Sequence, residues 1–204
     1  MAQNNQEQEA KFFLSRRERL PARLEQLGAR LVHARVFESN LRFDLPDGSL
    51  AQKRQVLRLR QDERIRLTYK GPADPSAEVA ARPEIEVEVS HFENVRALLE
   101  ALGYRVVVMY EKYRTTYQLG GCEVTLDEMP YGDFAEIEGP DAAAIQAVAA
   151  QLGLDWSARC LESYLALFER LRGAGLQAAN LSFSEVTRRA SAAELGLRPA
   201  DAEE

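Results

Sequence analysis

The first residues that could do chemistry lie in the stretch EQEAK, where Glu7, Glu9 and Lys11 occupy every second position. Successive side chains of a strand point to opposite faces, so these three would share one face of a strand. Carboxylates bind hard divalent cations, and a lysine ammonium binds phosphate oxygens. The spacing therefore makes Glu7 and Glu9 candidate metal ligands and Lys11 a candidate phosphate contact.

Ionic side chains recur at this two-residue spacing in most of the later strand-like segments. The alternating sets are Arg58 and Arg60; Arg66, Thr68 and Lys70; Glu84, Glu86 and Glu88; Lys112 and Arg114; Asp127; and Glu136 with Glu138. Mainly apolar residues lie between them, so nearly every segment has one ionic and one apolar face. The charges are segregated into acidic and basic clusters, and the forked guanidinium of arginine suits phosphate oxygens.

Two arrangements are compatible with this alternation. Periodicity alone favours an antiparallel sheet with its apolar face on helices and its ionic face in water. The segregated charges favour a closed sheet whose ionic faces line one water-filled cavity. Unpaired charges in such a cavity are costly, so ligands would balance them. Divalent cations would satisfy the carboxylates, and a polyphosphate would satisfy the arginine and lysine residues.

Eight strand-like runs would position these side chains. They are EQEAKF, NLRFDL, QVLRLRQ, RIRLTYK, EIEVEV, VVVMYEKYRTTYQL, CEVTLDE and FAEIE. Turn signals separate them at residues 46–48, 71–75, 119–121 and 130–133. Short connections between eight strands predict one antiparallel sheet, open or closed.

Four amphipathic helices accompany the strands, which gives an α+β fold class. The helices are expected to begin after Ser15, near His91, after Pro140 and near Ser157. We expect one domain over residues 1–172 and a C-terminal extension over residues 173–204. The stretch LSFSEVTRRASAAEL predicts a short helix in that extension, and RPADAEE predicts a mobile end. The extension is interpreted either as exposed to solvent or as a lid on a cavity mouth.

The composition excludes several classes of protein. A net charge of −6 argues against non-specific nucleic-acid binding, which needs a basic surface. Two cysteines make no disulfide framework, and two histidines exclude a histidine-rich metal site. The chain has no long apolar run and no leader pattern, so we expect a cytoplasmic protein without a membrane partner. The sequence leaves the oligomeric state, including a homodimer, open.

The ordered motifs of the chain resemble those of the CYTH superfamily, the triphosphate tunnel metalloenzymes. EQEAK matches the ExExK signature of that group, and LRLR, TYKGP, EKYRTTY, VTLD and GDFAEIE follow it in order. The resemblance spans about residues 6–168. Within the superfamily, YKGP, LGYRVVVMYEKYRTTY and GDFAEIE are most similar to the class IV adenylyl cyclase branch.

This resemblance implies an eight-stranded antiparallel β-barrel tunnel with helices packed outside. It implies Mg²⁺ or Mn²⁺ held by Glu7, Glu9, Asp127, Glu136 and Glu138. It implies a triphosphate bound by Lys11, Arg58, Arg60, Lys70, Lys112 and Arg114. Lys11, Glu136 and Glu138 are the residues expected to act in catalysis. Tyr117 and Tyr164 are interpreted as packing residues rather than nucleobase contacts.

The resemblance leaves three functions open, all involving a small molecule with a triphosphate group. An adenylyl cyclase would convert ATP to cyclic AMP and pyrophosphate. A triphosphatase would hydrolyse inorganic triphosphate, a nucleoside triphosphate or thiamine triphosphate. A non-catalytic module would bind polyphosphate without turnover, but binding phosphate alone does not require so many carboxylates.

Overall fold

The computed structural model describes residues 6–72 and 78–202, with side chains from Gln8 onward. In this part of the chain nine segments form β-strands. They are β1 Gln6–Leu14, β2 Arg30–Asp44, β3 Val56–Gln61, β4 Ile65–Lys70, β5 Ala80–Glu88, β6 Arg105–Leu119, β7 Cys122–Met129, β8 Gly132–Glu138 and β9 Arg159–Cys160. The first eight strands correspond to the eight predicted runs.

The nine strands form one antiparallel sheet that closes into a ring. Their order is β5-β4-β3-β2-β6-β7-β8-β1-β9, and β5 also pairs with β1. In the closing pair, Glu7 lies opposite Arg82 and Glu9 lies opposite Ala80. Strands β1 to β8 therefore make the ring, and β9 adds a short pairing with β1 at Lys11 and Phe12. The predicted antiparallel sheet is confirmed, and of the two arrangements the closed one is correct.

Strand β2 is longer than its sequence pattern predicts. It begins at Arg30, ten residues before the predicted run NLRFDL. The register between β2 and β6 shifts between Leu31 and His33 and again between His33 and Val36. Each shift breaks the strict two-residue alternation, because residues after a bulge change face. This explains why the sequence pattern missed residues 30–39 of β2, which include Glu38.

Five α-helices lie in the described residues. They are α1 Leu20–Gln26, α2 Ser49–Gln52, α3 Phe92–Ala101, α4 Ala142–Gln151 and α5 Tyr164–Gly173. The four predicted helices are present, and α2 is an additional single turn. The predicted start of α5 near Ser157 is wrong, because residues 156–158 form a 3₁₀ turn and the chain then pairs with β1. Ser163 caps α5, with its hydroxyl accepting a hydrogen bond from the Ala166 amide.

Helices α1 and α4 cover the apolar outer face of β1, β7 and β8. Phe12, Leu126 and Ile137 on the strands, and Leu24 and Ile145 on the helices, are each buried to at least 99%. Burial of a side chain of this size contributes about 1.5–3 kcal/mol. Because side chains alternate along a strand, this packing turns the ionic residues of the same strands toward the inside of the ring.

Helix α5 packs against one end of the ring interior. There the inward positions next to Lys11 and Glu136 carry Phe13 and Phe134, whose ring centroids are 5.3 Å apart. The ring of Tyr164, the first residue of α5, lies 5.0 Å from that of Phe134 in an edge-to-face contact. The ring interior is therefore apolar at this end and ionic beyond it.

The C-terminal extension contains turns in place of the predicted short helix. The Leu181 amide donates to Met109 O at 3.0 Å, and the Glu111 amide donates to Leu181 O at 2.9 Å. Further along, the Ala200 amide donates to Phe13 O at 2.9 Å. These bonds fasten the extension to the ring as far as Ala200, and residues 203–204 lie outside the described part.

Two further findings concern the C-terminal extension as a lid and the helices as membrane spans. No residue of the extension that the structure describes lines the ring cavity, so the lid interpretation is not supported. None of the helices in residues 6–72 and 78–202 combines the length and the apolar character needed to cross a bilayer.

Candidate active site inside the strand ring

The interior of the ring is an ionic cavity of about 1,170 Å³. All eight ring strands contribute to its wall, together with residues 161–166 at the start of α5. Its basic side chains in the described residues are Lys11, Arg42, Arg54, Arg58, Arg60, Arg66, Lys70, Arg82, Lys112 and Arg114. Its acidic side chains there are Glu9, Glu84, Glu86, Glu123, Glu136, Glu138 and Glu162. Ten basic and seven acidic side chains of the described residues line the cavity, and the buried acids Glu38 and Asp127 pair with some of the basic groups from behind the wall.

Lys11 is a buried ammonium group held between two carboxylates. Its Nζ lies 2.7 Å from Glu136 Oε1 and 3.8 Å from Glu9 Oε1. Burial opposes the charge of Lys11, but Glu136 and Glu9 outweigh it and raise the lysine pKa above its ordinary value. Lys11 therefore stays protonated at neutral pH, as a phosphate contact requires.

Glu136 is the carboxylate shared between Lys11 and Arg114. Arg114 Nη2 donates to its Oε2. Burial disfavours the charged carboxylate, but the charges of Lys11 and Arg114 hold the pKa of Glu136 well below its ordinary range. Glu136 is therefore ionised, and both of its oxygens contact cations.

Asp127 lies behind the cavity wall and is fully buried. It accepts hydrogen bonds from Lys112 Nζ at 2.9 Å, Arg114 Nε at 2.7 Å and the Tyr164 hydroxyl at 2.9 Å. Burial, with the charge of Asp127, raises the Tyr164 pKa well above its ordinary value, so this phenol is neutral and donates. Because these donors occupy both oxygens of Asp127, its carboxylate orients cations and does not face the cavity.

Glu38 on β2 is a second buried acid, which the sequence analysis missed. It lies 3.4 Å from Arg60 Nη1 and 3.7 Å from Lys112 Nζ, and Asn40 Nδ2 donates to it at 2.9 Å. Burial alone would raise the pKa of Glu38, but the charges of Lys112, Arg114 and Arg60 lower it below its ordinary value. Glu38 therefore holds Arg60 and Lys112, two of the residues that the family resemblance assigns to triphosphate binding.

The cations of β3 and β4 face the acids of β5 across the strand register. Arg60 Nη2 lies 3.4 Å from Glu86 Oε2, and Lys70 Nζ lies 2.9 Å from Glu84 Oε2. Arg58 has longer contacts: it donates to the Tyr110 hydroxyl at 3.4 Å and to Thr68 Oγ1 at 3.3 Å, and its Nη2 lies 3.7 Å from Glu86 Oε2. These residues form a second basic wall of the same cavity.

Arg42 on β2 differs from the other arginines of the cavity wall whose Nε is buried without a hydrogen-bond partner, namely Arg58, Arg60 and Arg66. Each of those three has an ion pair, whereas no acid of residues 8–72 and 78–202 lies within ion-pair distance of Arg42. Burial, with the nearby charges of Arg58 and Arg82, lowers its pKa. A partly buried guanidinium without an ion pair is costly unless an anion occupies the space beside it.

The ring brings most of the predicted site residues together. Those that line the cavity are Glu9, Lys11, Arg58, Arg60, Lys70, Lys112, Arg114, Glu136 and Glu138. Asp127 is adjacent but points into the wall. The backbone of Glu7 pairs with Arg82, while its side chain lies outside the described part. The position of Glu7 as a metal ligand therefore stays a prediction.

The carboxylates of the cavity suit a hard divalent cation in chemistry. Strand register puts Glu138 between Glu9 on β1 and Glu123 on β7. In the described residues no three acidic, histidine or cysteine side chains are gathered as a metal site. Oxygen donors alone favour Mg²⁺ or Mn²⁺ over softer metals. The donor set therefore fits such a cation in type.

Several residues of the site were not found from sequence, among them Glu38, Arg42 and Tyr164. Glu38 follows the bulges of β2, so its alternation was obscured. Arg42 lies within the predicted run NLRFDL, and its inward direction follows from alternation once the ring is known to close. Tyr164 was interpreted as packing on a helix, and no local pattern connects it with residues of β1 and β6.

Comparison with known proteins agrees with this geometry. The model of the CYTH domain family matches residues 5–155, more than half of the chain. The adenylate cyclase CyaB of Aeromonas hydrophila is 31% identical over 177 residues, which are 80% of this chain and 89% of that protein.

Two solved structures share the fold. The crystal structure of a putative adenylate cyclase from Vibrio parahaemolyticus has a TM-score of 0.72 and 23% identity, covering 82% of this chain and 99% of that chain. A putative adenylyl cyclase from Hippeastrum, described as having a dominant triphosphatase activity, has a TM-score of 0.58 and 19% identity. The match covers 85% of this chain and 98% of that chain. The family match, the order of the motifs and the ionic ring together establish that the chain belongs to the CYTH domain family.

Proposed function

We propose that this protein is a divalent-metal-dependent enzyme that acts on the triphosphate group of a nucleotide or a related molecule. The observation that carries the proposal is the convergence of ten basic side chains on the wall of one cavity, in a protein whose net charge is −6. Basic groups gathered in one such space favour a small anion of high charge.

Six basic residues are proposed to bind the triphosphate. They are Lys11, Arg58, Arg60, Lys70, Lys112 and Arg114. Lys11 and Arg114 are paired with Glu136 in the structure, so phosphate oxygens would replace that carboxylate around them. Arg58 has weaker contacts and would bind phosphate at lower cost. Two walls of cations would then hold the phosphorus atoms in line with the attacking oxygen.

Glu7, Glu9, Glu136 and Glu138 are proposed to hold one or two divalent cations. A bound cation would neutralise charge on the triphosphate and polarise the reacting oxygen. If the substrate displaced Glu136 from Lys11 and Arg114, both oxygens of Glu136 would be available to bind the cation. We assign Asp127 a positioning role in place of the predicted ligand role, because it is fully buried, does not line the cavity and contacts Lys112, Arg114 and Tyr164.

The chain's own residues account for much of the catalysis that phosphoryl transfer needs. That chemistry depends on positioning and charge stabilisation more than on covalent catalysis. Lys11, Lys112 and Arg114 would stabilise negative charge as it moves to the leaving oxygen. The orientation of Lys112 and Arg114 is set before substrate binds, by Asp127 and, for Lys112, also by Glu38, so these two groups need little reorganisation.

Within this class we propose an adenylyl cyclase. The ribose 3′-oxygen of ATP would attack the α-phosphorus, and pyrophosphate would leave with the bond to the α-phosphorus broken. The adenylate cyclase name of the Aeromonas hydrophila relative supports this choice. The cavity of about 1,170 Å³ also has room for a nucleoside beside the triphosphate.

Triphosphate hydrolysis is the second candidate. The activity reported for the Hippeastrum protein, which shares the fold, supports it. Water would then attack the terminal phosphorus, and the same cations would stabilise the leaving phosphate or pyrophosphate.

Product identification separates the two. Purified protein would be incubated with Mg²⁺ or Mn²⁺ and, separately, with ATP, inorganic triphosphate and thiamine triphosphate. Cyclic AMP from ATP supports the cyclase, and rapid phosphate release without cyclic AMP supports the triphosphatase. Tight triphosphate binding without any turnover would contradict both and leave a binding module.

A further inference from the structure

Tyr164 reaches the cavity from a part of the chain that follows the family match. It is the first residue of α5, and its side chain is 8% exposed. Its backbone is fixed, since Ser163 caps the helix and the Tyr131 hydroxyl donates to Tyr164 O at 2.9 Å. Its ring is fixed by the contact with Phe134. The side chain therefore meets the cavity in one defined orientation.

Three charged groups of the site contact this one side chain. The Tyr164 hydroxyl donates to Asp127 Oδ2 at 2.9 Å. Lys11 Nζ lies 4.5 Å from the centroid of the Tyr164 ring, and Lys112 Nζ lies 5.4 Å from it. An ammonium within about 6 Å of an aromatic face is attracted to it. Tyr164 therefore connects β1, β6 and β7 at the point where their charges meet.

The hydroxyl also limits how strongly Asp127 holds its cations. Asp127 Oδ2 accepts from both Tyr164 and Lys112, so the tyrosine supplies part of the stabilisation of this buried carboxylate. Without that hydroxyl, Lys112 and Arg114 would have to compensate Asp127 alone. They would then be less available to an incoming phosphate.

We propose that Tyr164 is a positioning residue of the triphosphate site: its ring seats the ammonium groups of Lys11 and Lys112, and its hydroxyl sets how firmly Asp127 retains Lys112 and Arg114. The identity of the ligand as a triphosphate rests on the proposed function, whereas the positions of the Lys11 and Lys112 ammonium groups against the Tyr164 ring do not. The inference also gives α5 a part in the site, beyond packing at the end of the ring.

Two substitutions separate the parts of this role. Tyr164→Phe removes the hydroxyl and keeps the ring, and Tyr164→Leu removes both. Tyr117→Phe is the matched control, because Tyr117 packs against the outer apolar core and does not line the cavity. Binding of inorganic triphosphate would be measured by calorimetry in the presence of a chelator, well below the unfolding temperature of each variant.

The Tyr164→Phe substitution should weaken triphosphate binding about tenfold, the size expected for one hydrogen bond to a charged group. In turnover assays KM should rise while kcat changes much less. Tyr117→Phe should change neither. Equal affinity in Tyr164→Phe and the wild type, with only a lower unfolding temperature, would show a purely structural role and overturn the proposal.

The lysine resonances test the placement independently of any activity. The chain has only four lysines, Lys11, Lys53, Lys70 and Lys112, so ¹³Cε-labelled lysine gives four resolvable environments. Tyr164→Leu should shift the signals of Lys11 and Lys112 by removing the ring current and leave that of Lys53 in place. Unshifted Lys11 and Lys112 signals would overturn the proposal. Failure of the wild type to bind triphosphate would instead refute the proposed function, with the lysine test still valid.

Discussion

Lys11 and Glu136 lie opposite each other on β1 and β8, with Lys11 Nζ 2.7 Å from Glu136 Oε1. The pair is buried, and each partner stabilises the charged form of the other. A triphosphate and its cation would have to divide this pair, the phosphate taking Lys11 and the cation taking Glu136. In the free protein, Lys11 and Glu136 thus stay ionised and in place until a phosphate and its bound cation replace each as the partner of the other.

Replacing Glu136 with glutamine should separate binding from turnover. The substitution removes one negative charge from the cavity and frees Lys11 and Arg114, so metal-free triphosphate should bind at least as tightly as to the wild type. Turnover should fall by about a hundredfold or more, the loss typical of removing one group that stabilises the transition state. Calorimetry and a product assay would measure the two effects.

The control for this variant is Glu100→Gln on the exposed side of α3, where Glu100 pairs only with Arg96 among the described side chains. It should alter neither binding nor turnover. If Glu136→Gln retained wild-type turnover, the assignment of Glu136 as a metal ligand would be wrong.

Replacing Arg42 with methionine should stabilise the fold and weaken ligand binding. Methionine fills a similar space without a buried charge, so the free energy of unfolding should rise by about 1 kcal/mol. Affinity for triphosphate should fall, because the unpaired guanidinium is the one most in need of an anion. Chemical denaturation and calorimetry would measure the two changes.

Arg30→Met on the same strand is the matched control, since Arg30 is exposed. It should leave both quantities within experimental error. Loss of stability in Arg42→Met would indicate that Arg42 is satisfied within the free protein, contrary to the structure.

Glu38 should stabilise the protein in a pH-dependent way. Its folded-state pKa is lowered below the ordinary value of 4.5 by Lys112, Arg114 and Arg60. A group of this kind stabilises the fold fully above its unfolded pKa and loses that contribution as pH falls toward its folded pKa. Glu38→Gln should therefore destabilise the protein by about 3 kcal/mol at pH 7, the cost of breaking a buried ion pair.

The measurement is the free energy of unfolding of both proteins from pH 3 to 8. The difference between them should be constant above about pH 6 and shrink below pH 4.5. A difference that stays constant down to pH 3 would mean that the loss comes from packing and the Asn40 hydrogen bond rather than from charge.

Much of this site follows from strand alternation alone. The spacing of Glu9 and Lys11, and that of Glu136 and Glu138, predicts which side of β1 and β8 each residue occupies. The direction of that side, inward or outward, depends on the closing pair between β5 and β1, which joins residues more than seventy positions apart. Local patterns carry no information about such a pairing. The separation of basic and acidic faces was the one local feature that favoured a closed sheet, and it did so through charge alone.

Where the structure departs from the local pattern, the physical origin is different. Asp127 has the inward parity of its strand and its role as a metal ligand stays a prediction, but Lys112, Arg114 and Tyr164 enclose its carboxylate, and such enclosure depends on two other elements. The helix predicted in the extension was overridden by tertiary bonds, since the backbone of Leu181 bonds to β6 instead of to its own neighbours. Both cases show long-range contacts outweighing a local pattern.

Asp201 fastens the C-terminal extension to the start of the chain. Its carboxylate accepts hydrogen bonds from the Ser15 amide at 2.7 Å, the Ser15 hydroxyl at 2.9 Å and the Arg16 amide at 2.6 Å. Three charge-assisted bonds between residues far apart in the sequence should contribute more than a local turn bond, so Asp201→Ala should lower the free energy of unfolding by about 1–3 kcal/mol. Asp47→Ala, which removes a bond to the nearby Ser49 amide, is the control and should cost less. Hydrogen exchange at Ser15 and Arg16 should accelerate in Asp201→Ala alone, and unchanged exchange there would show that the extension is not held at this point.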